Sequence, residues 1–394
     1  MCQDDTRREE EIQNYGNRAH ETGVENSSLF GLILYSFRRW FRERMTCQEK
    51  SKLFFLLSGE HSELPQAEVK AILESEHFPY TIVRSDYRLL EAESSLKALE
   101  RVGDRSLMVE SCGQVISDIE CDRSSVKRIH EPTNLLSFLH EGESFAVRSI
   151  RLGGAEKGIR REQLERDLGK LISDELKTVK VDLRKPDKTF LAIVSPGRVT
   201  LGLLRHKREP GIISRRRPRK RPYFHPSTMQ PKLARCMVNL ARPRPGEVLL
   251  DPFCGVGGHL IEAGLMGCRV VGVDVNRRMV LATSRNLRYF GVKPEGLVEG
   301  DGRKLPFSRV HSIATDPPYG RGASTIGSTP KELLTNFLSD ARSILERGSF
   351  ICLAAAKKTG VIDIADTIGF EIVQSYEIYV HRSLTRQIVV LNWN

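Results

Sequence analysis

From residue 52 onward the chain alternates apolar and polar positions with a regularity that its first 46 residues lack. The apolar run 53–57 predicts a strand, and Leu64-Pro65 announces a helix over 66–76. A single strand over 81–90 and a helix from Ser94 complete a small mixed domain, set at residues 47–98. The block 99–205 repeats these signals. SFAVRSIRL at 144–152 alternates and stops at Gly153-Gly154, as a half-buried strand would. Over 161–176 Leu164, Leu168, Leu171, Ile172 and Leu176 fall on one helical face. Strands are predicted at 180–183, 190–194 and 199–204, the last two joined through Ser195-Pro196-Gly197.

Beyond Phe224 strands and helices alternate with little interruption. A lead-in helix over 230–241 carries Leu233, Met237 and Leu240 on one face. Strands are predicted at 247–253, 269–275, 296–300, 311–316 and 349–355, separated by helices such as 260–267, 277–290 and 331–345. The final strands, 370–380 and 386–393, have no helix between them and should pair antiparallel at the edge. Residues 228–394 therefore read as an α/β, doubly wound, Rossmann-like sheet closed by a hairpin, with ligands expected beyond the carboxyl ends of its strands.

Composition adds a partner. Hydrophobic residues at 40% and charged residues at 28% suit a globular chain of 394 residues, but the net charge of +11 favours a polyanion, most often nucleic acid. Arg205 and Lys207, then Arg215, Arg216, Arg217, Arg219, Lys220 and Arg221, concentrate that charge within 206–227 and just before it, read as a basic linker that neutralises phosphates. Arg148, Arg151 and Lys157 belong to the basic positions of the preceding block. No apolar run approaches the length of a membrane span, so no membrane is expected. The eight cysteines include no C-x-x-C pair, which argues against a zinc knuckle or disulfide scaffold and for a reduced, cytoplasmic setting; no metal is expected. Residues 1–46 place an apolar run before an Arg-rich one, the reverse of a secretory signal. They read as a disordered or non-native extension.

Two turns carry the chemistry. Thr315-Asp316-Pro317-Pro318-Tyr319-Gly320 closes a strand with two prolines, a rigid corner presenting a carboxylate, a carbonyl and an aromatic face. Those groups suit an exocyclic amine on a planar base: Asp316 and the Pro317 carbonyl accept its hydrogens, and Tyr319 stacks. Asp251-Pro252-Phe253-Cys254-Gly255-Val256-Gly257-Gly258 is a glycine-rich strand-to-helix turn that lets backbone approach a ligand. Starting from Gly255, a dinucleotide fingerprint would need glycine where Leu260 stands, and no phosphate-binding P-loop is present. Asp274 ends the second strand, placed for ribose hydroxyls, and Asp301-Gly302 follows the third, placed for an adenine edge. This set matches the S-adenosylmethionine pocket of class I methyltransferases.

Together, the DPFCGVGG loop, the DPPYG corner, the FHPSTMQPKLARCMVNLA lead-in and the block around SFAVRSIRLG resemble the archaeal tRNA guanine-10 N2-methyltransferases over roughly residues 47–394. The resemblance implies a ferredoxin-like domain at 47–98 and a THUMP domain at 99–205 that hold tRNA. It also implies S-adenosylmethionine as donor, catalysis at Asp316, Pro317, Pro318 and Tyr319, and a pocket lined by Phe224, His225 and Met229. A small zinc-binding activator protein serves some relatives, and the chain is read as a monomeric catalytic subunit. The same corner chemistry would serve adenine N6 in DNA or guanine N2 in ribosomal RNA, and a noncatalytic RNA-binding protein is the alternative from another class.

Overall fold

The structure, a computed structural model, describes residues 50–120, 138–154, 160–319 and 327–394. The extension at 1–46, Lys157 and Gly320 lie outside the described residues. The first strand, β1 (Ser51–Leu57), is followed by α1 (Leu64–Ser75), the hairpin β2 (Thr81–Asp86) and β3 (Leu89–Ser94), and α2 (Leu96–Arg105). The single strand predicted over 81–90 is thus two strands turning at Tyr87-Arg88. Then come β4 (Val109–Glu120), β5 (Ser144–Arg151), α3 (Arg161–Glu175), β6 (Lys180–Val181), β7 (Lys188–Ser195) and β8 (Arg198–Lys207).

These eight strands form one sheet in the order β2-β3-β1-β4-β8-β7-β5-β6, antiparallel except where β5 meets β6 and β7. The boundary placed between residues 98 and 99 falls inside α2, and one sheet runs through both expected domains. β1 is a continuous apolar run because both of its faces are covered. Leu53, Phe55 and Leu57 pack with α1 and α2, while Phe54 and Leu56 pack with Leu89, Leu152, Leu191 and Ile193. Glycine in neighbouring strands makes room for Phe54: a Cβ on Gly113 or Gly202 would lie 2.6 or 2.5 Å from its ring.

A short helix α4 (Ile212–Arg216) and a 3-10 turn (Pro218–Lys220) lead to α5 (Pro231–Leu240). The second sheet then follows as β9 (Val248–Asp251), α6 (Gly258–Gly264), β10 (Arg269–Asp274), α7 (Arg277–Tyr289), β11 (Gly296–Glu299), β12 (Val310–Thr315), α8 (Pro330–Ile344), β13 (Leu345–Ala356), α9 (Val361–Ile368), β14 (Glu371–His381) and β15 (Leu384–Trp393). Its order is β11-β10-β9-β12-β13-β15-β14, with β15 antiparallel between β13 and β14. The closing hairpin is therefore not wholly peripheral: β14 takes the edge and the last strand lies inside the sheet. The sheet reverses its order between β9 and β12, which opens a crevice at their carboxyl ends.

Residues 51–394 form one compact unit, and the two sheets meet through a buried polar cluster between α1, α2 and α5. Glu68, fully buried, accepts from Asn239 Nδ2 at 2.8 Å, from the Met108 amide at 3.2 Å and from the Ser106 hydroxyl. Burial raises the Glu68 carboxyl above the ordinary range against the pull of these donors. Asn239 Oδ1 accepts from Arg105 Nε and Nη2 at 3.3 and 3.2 Å, and Arg105 also reaches the Pro243 carbonyl at 2.9 Å and Glu76 at 2.8 Å. Asn239→Ala would take one hydrogen bond from the buried Glu68 carboxyl and two from the buried Arg105 guanidinium, leaving each with only its remaining partners. Urea unfolding should show a loss of about 2–4 kcal/mol; a loss below about 0.5 kcal/mol would show that the cluster does not hold the halves together.

Candidate functional site

The glycine-rich turn sits where β9 ends. Gly255 and Gly257 have φ of +51° and +83°, conformations that a side chain disfavours, and a Cβ on Gly257 would lie 3.0 Å from Thr283. Thr283 holds the turn from α7 by donating to the Gly255 carbonyl at 2.7 Å. Asp274, at the end of β10, accepts from the Gly255 amide at 2.9 Å and the Asn276 amide at 2.8 Å. Each of its oxygens keeps a lone pair for a ligand. Burial raises the Asp274 carboxyl, opposed by those two amides.

Two expected ligands on this turn face inward instead. Asp251 is 1% exposed, and its carboxylate accepts from Thr315 Oγ1 at 2.7 Å and the Phe253 amide at 3.2 Å, and meets His259 Nδ1 at 3.1 Å. It ties β9 to the end of β12 and to α6. Cys254 is buried in the core, and burial pushes its thiol well up. Pro252 is buried and Phe253 packs edge-on against Phe337. Gly258 begins α6. Asp301 is gripped by the Arg303 fork, 2.6 Å from Nη2, which holds its carboxyl below the usual range. Gly302 packs so closely that a Cβ would fall 2.6 Å from the Pro252 carbonyl oxygen.

Asp316 follows β12 directly, beside Thr315 and thus one residue from the Asp251 brace. Pro317 is buried, while Pro318 and Tyr319 are half-buried. The Tyr319 hydroxyl donates to Asp316 Oδ1, and Arg386 stands 3.5 Å from Oδ2 and donates to the Tyr319 oxygen at 3.0 Å. Burial raises the Asp316 carboxyl, opposed by Arg386 and by the Tyr319 hydroxyl. Burial works against charge on Arg386, but Asp316 and Tyr319 outweigh it and hold the guanidinium above its ordinary range. Arg386 was not foreseen. It lies in an apolar strand and reaches the site because antiparallel β15 enters the sheet opposite Ala356, at the carboxyl end of β13. His259, also unforeseen, is 4% exposed, and its Nε2 has no partner among the described residues.

The lead-in divides. Phe224 and His225 are exposed, Phe224 beneath Arg219 at 5.8 Å. Met229 is 6% exposed and packs in the core with Leu233 and Met237. The basic residues divide too. Arg205 and Lys207 on β8, together with Arg215, Arg217, Arg219 and Lys220, are exposed; Arg215 pairs with Glu209 at 2.6 Å. Arg148 is exposed and donates to the Leu183 carbonyl, and Arg151 is half-buried. Arg216 and Arg221 turn inward. Arg216 meets buried Glu262 at 3.1 Å, and Arg221 is 5% exposed, because α4 and the 3-10 turn fold this supposed linker against α5 and α6.

Comparison with known proteins shows the family. A family model described as an RMKL-like methyltransferase domain matches residues 218–388. A tRNA (guanine(10)-N2)-dimethyltransferase of Methanothermobacter thermautotrophicus is 38% identical over 349 residues, covering 86% of this chain and 99% of that one. The chain belongs to this dimethyltransferase family. A second member, from Methanocaldococcus jannaschii, is 31% identical over 361 residues, covering 85% of this chain and 98% of its own. The crystal structure of TrmN from Thermus thermophilus shares the fold with a TM-score of 0.50 at 20% identity, covering 87% of this chain and all of that one.

The contact at Gly302 can be tested against its neighbour. Gly302→Ala should displace the 252–253 turn and cost about 1–3 kcal/mol in urea unfolding. Gly300→Ala, whose Cβ would meet nothing nearer than 3.4 Å, should change stability by less than about 1 kcal/mol. Equal effects would remove Gly302 from the architecture of the turn.

Proposed function

We propose that this chain transfers methyl groups from S-adenosylmethionine to the exocyclic N2 of a guanine in tRNA, guanine 10, giving mono- or dimethylguanosine. The observation that carries the reading is the Asp316-Pro317-Pro318-Tyr319 corner, linked to the glycine turn through the Thr315–Asp251 hydrogen bond of 2.7 Å. The printed names of relatives spanning nearly their whole lengths support the same substrate. They favour it over ribosomal RNA or DNA.

The residues fit such a donor. The glycine turn offers bare backbone, Asp274 keeps acceptor capacity for ribose hydroxyls, and Arg221 and Thr228 leave buried polar atoms without partners beside Gly258. When bound, the donor supplies an electrophilic methyl on a sulfonium. Asp274, Gly255, Gly257, Gly258 and Gly302 would hold it. A guanine amine is a weak nucleophile because its lone pair is delocalised, so the protein's work is positioning and acceptance of hydrogens. Asp316 performs both roles. Tyr319 and Arg386 each engage one of its oxygens, which fixes the carboxylate and, as at Asp274, leaves each oxygen a lone pair for the incoming amine. The raised carboxyl suits Asp316 to take the proton that the amine releases.

The eight-stranded sheet, with its ferredoxin-like and THUMP-like portions at 47–98 and 99–205, would hold tRNA, assisted by Arg205, Lys207, Arg217, Arg219 and Lys220. No helix among the described residues is long and apolar enough to cross a membrane. A cytoplasmic, monomeric catalytic subunit, with a small zinc-binding activator protein where one is needed, completes the proposal.

Incubation of the protein with an unmodified tRNA transcript and methyl-labelled donor, followed by nucleoside mass spectrometry, should give N2-methyl- or N2,N2-dimethylguanosine. Labelled N6-methyladenosine would contradict the reading. Asp316→Ala should lower transfer by at least about 100-fold and leave the tRNA Kd within about twofold; weakened binding with retained turnover would remove Asp316 from the chemistry. The wild-type rate should fall on acidification through a pH above the ordinary carboxylate range, since protonated Asp316 no longer accepts. A rate flat down to pH about 4 would exclude a raised, ionised Asp316 as the acceptor.

A further inference from the structure

Arg386 on β15 pairs with Ala356 of β13 on one flank and with Ile378 of β14 on the other. Both flanking strands run antiparallel to β15 and parallel to β12, so the residue after each partner lies beyond Arg386, at the carboxyl-end rim where Arg386 meets Asp316 and Tyr319. On β13 that residue is Lys357, which opens a 3-10 turn (Lys357–Thr359) with Lys358. On β14 it is Tyr379, and the hairpin then turns through Arg382-Ser383, since His381 pairs with Leu384.

The fold makes little use of these side chains. Tyr379 is 73% exposed, more than any other large hydrophobic among the described residues. Lys358 and Arg382 are exposed and have neither a hydrogen bond nor an ion pair among the described residues. The tip that carries Arg382 is nonetheless fixed: His381 Nδ1 accepts from the Ser383 amide at 3.3 Å and meets its hydroxyl at 3.1 Å. Charge here is one-sided. Residues 357–358 and 377–386 hold four cations, Lys357, Lys358, Arg382 and Arg386, against one carboxylate, Glu377. Lys357 takes that carboxylate at 2.8 Å and Arg386 serves Asp316, which leaves Lys358 and Arg382 as uncompensated charge. A bare aromatic ring close to unpaired cations is the equipment of a single-stranded nucleic-acid site, the ring for a base and the cations for phosphates.

We infer that Lys358, Tyr379 and Arg382 form a second RNA contact at the rim of the methyltransferase crevice, Tyr379 stacking on a base next to the target guanine and the two cations holding the flanking phosphates. The inference rests on the proposed function, from which the RNA and its extruded base are taken. A guanine that leaves its stack to reach Asp316 exposes the faces of its neighbours, and the strand on either side must cross this rim. Tyr379 replaces part of the stacking that extrusion removes. The first sheet would thus hold the RNA as a whole, while the rim sets which base enters the corner.

Anisotropy titrations and steady-state methyl transfer with the full chain and a tRNA transcript test the inference. Tyr379→Ala should lower kcat/KM by about 5- to 50-fold, and Tyr379→Phe, which keeps the ring, should restore it to within about twofold. With 2-aminopurine placed beside the target guanosine, the emission change on binding should be retained in Tyr379→Phe and lost in Tyr379→Ala. Lys358→Ala/Arg382→Ala should weaken tRNA binding and reduce the slope of log K against log salt by about 1–2. All these variants should bind S-adenosylhomocysteine within about twofold of wild type. Unchanged kcat/KM in Tyr379→Ala, equal losses in Tyr379→Phe and Tyr379→Ala, or an unchanged salt slope in the double variant would each overturn the assignment. So would a wild-type oligomer that Tyr379→Ala dissociates, since it would give the rim to a second copy of the chain. If wild-type protein methylates no guanine in tRNA, the proposed function fails; if it does and the rim variants match it, only the rim contact fails.

Discussion

The Asp251 carboxylate joins the parts on which the proposed chemistry depends. It receives Thr315 from the end of β12, the Phe253 amide from the glycine turn and His259 from α6. A carboxylate that is 1% exposed survives in such a place only because its lone pairs are used. Their use sets the distance between the turn read as the donor site and the corner read as the amine site. Methyl transfer depends on the alignment of donor and acceptor, so a small misplacement at this brace would be felt in rate rather than in affinity. The two neighbouring acids therefore differ in role by environment: Asp251 is spent on structure, and Asp316 stands where a substrate can compete for it.

The sheet's topology supplies the opposing charge. Parallel strands deliver their carboxyl ends to the crevice, but β15 runs antiparallel and delivers its beginning there instead, which is how Arg386 comes to face Asp316 and Tyr319. At the other side, the Glu68–Asn239–Arg105 cluster fixes the eight-stranded sheet to α5. On the proposed function, this junction would give an RNA bound by the first sheet a defined position relative to the corner. Recognition of the RNA and selection of the base then become one geometric problem.

Much of this was legible because local patterns had local causes. The glycines at 255 and 257 stand where positive φ is required, and the alternation of strand and helix after residue 230 gave the doubly wound sheet directly. What stayed hidden depended on partners distant in the chain. The inward turn of Arg216 and Arg221 is determined by Glu262 and by packing on α6, so a run of basic residues could not disclose which members were buried. Arg386 looked like an ordinary strand residue until the register of β13 with β15 placed it at the site. Asp251 and Asp301 read as donor-site acids at strand ends, and their own partners, Thr315 and His259 for one and Arg303 for the other, come from residues whose contacts the sequence does not display. The hairpin at 87–88 was missed because Leu89 and Leu90 continue the apolar character across the turn.

The claim that the corner at Asp316 holds an exocyclic N2 amine is tested most directly by removing that amine from the substrate. A tRNA transcript carrying inosine in place of the target guanosine differs from the normal transcript at that base only by the missing N2 group. The account predicts that this transcript binds the protein about as tightly as the unaltered one and takes up no methyl label at that nucleoside. Methyl transfer to the inosine at a rate comparable with guanosine would contradict it.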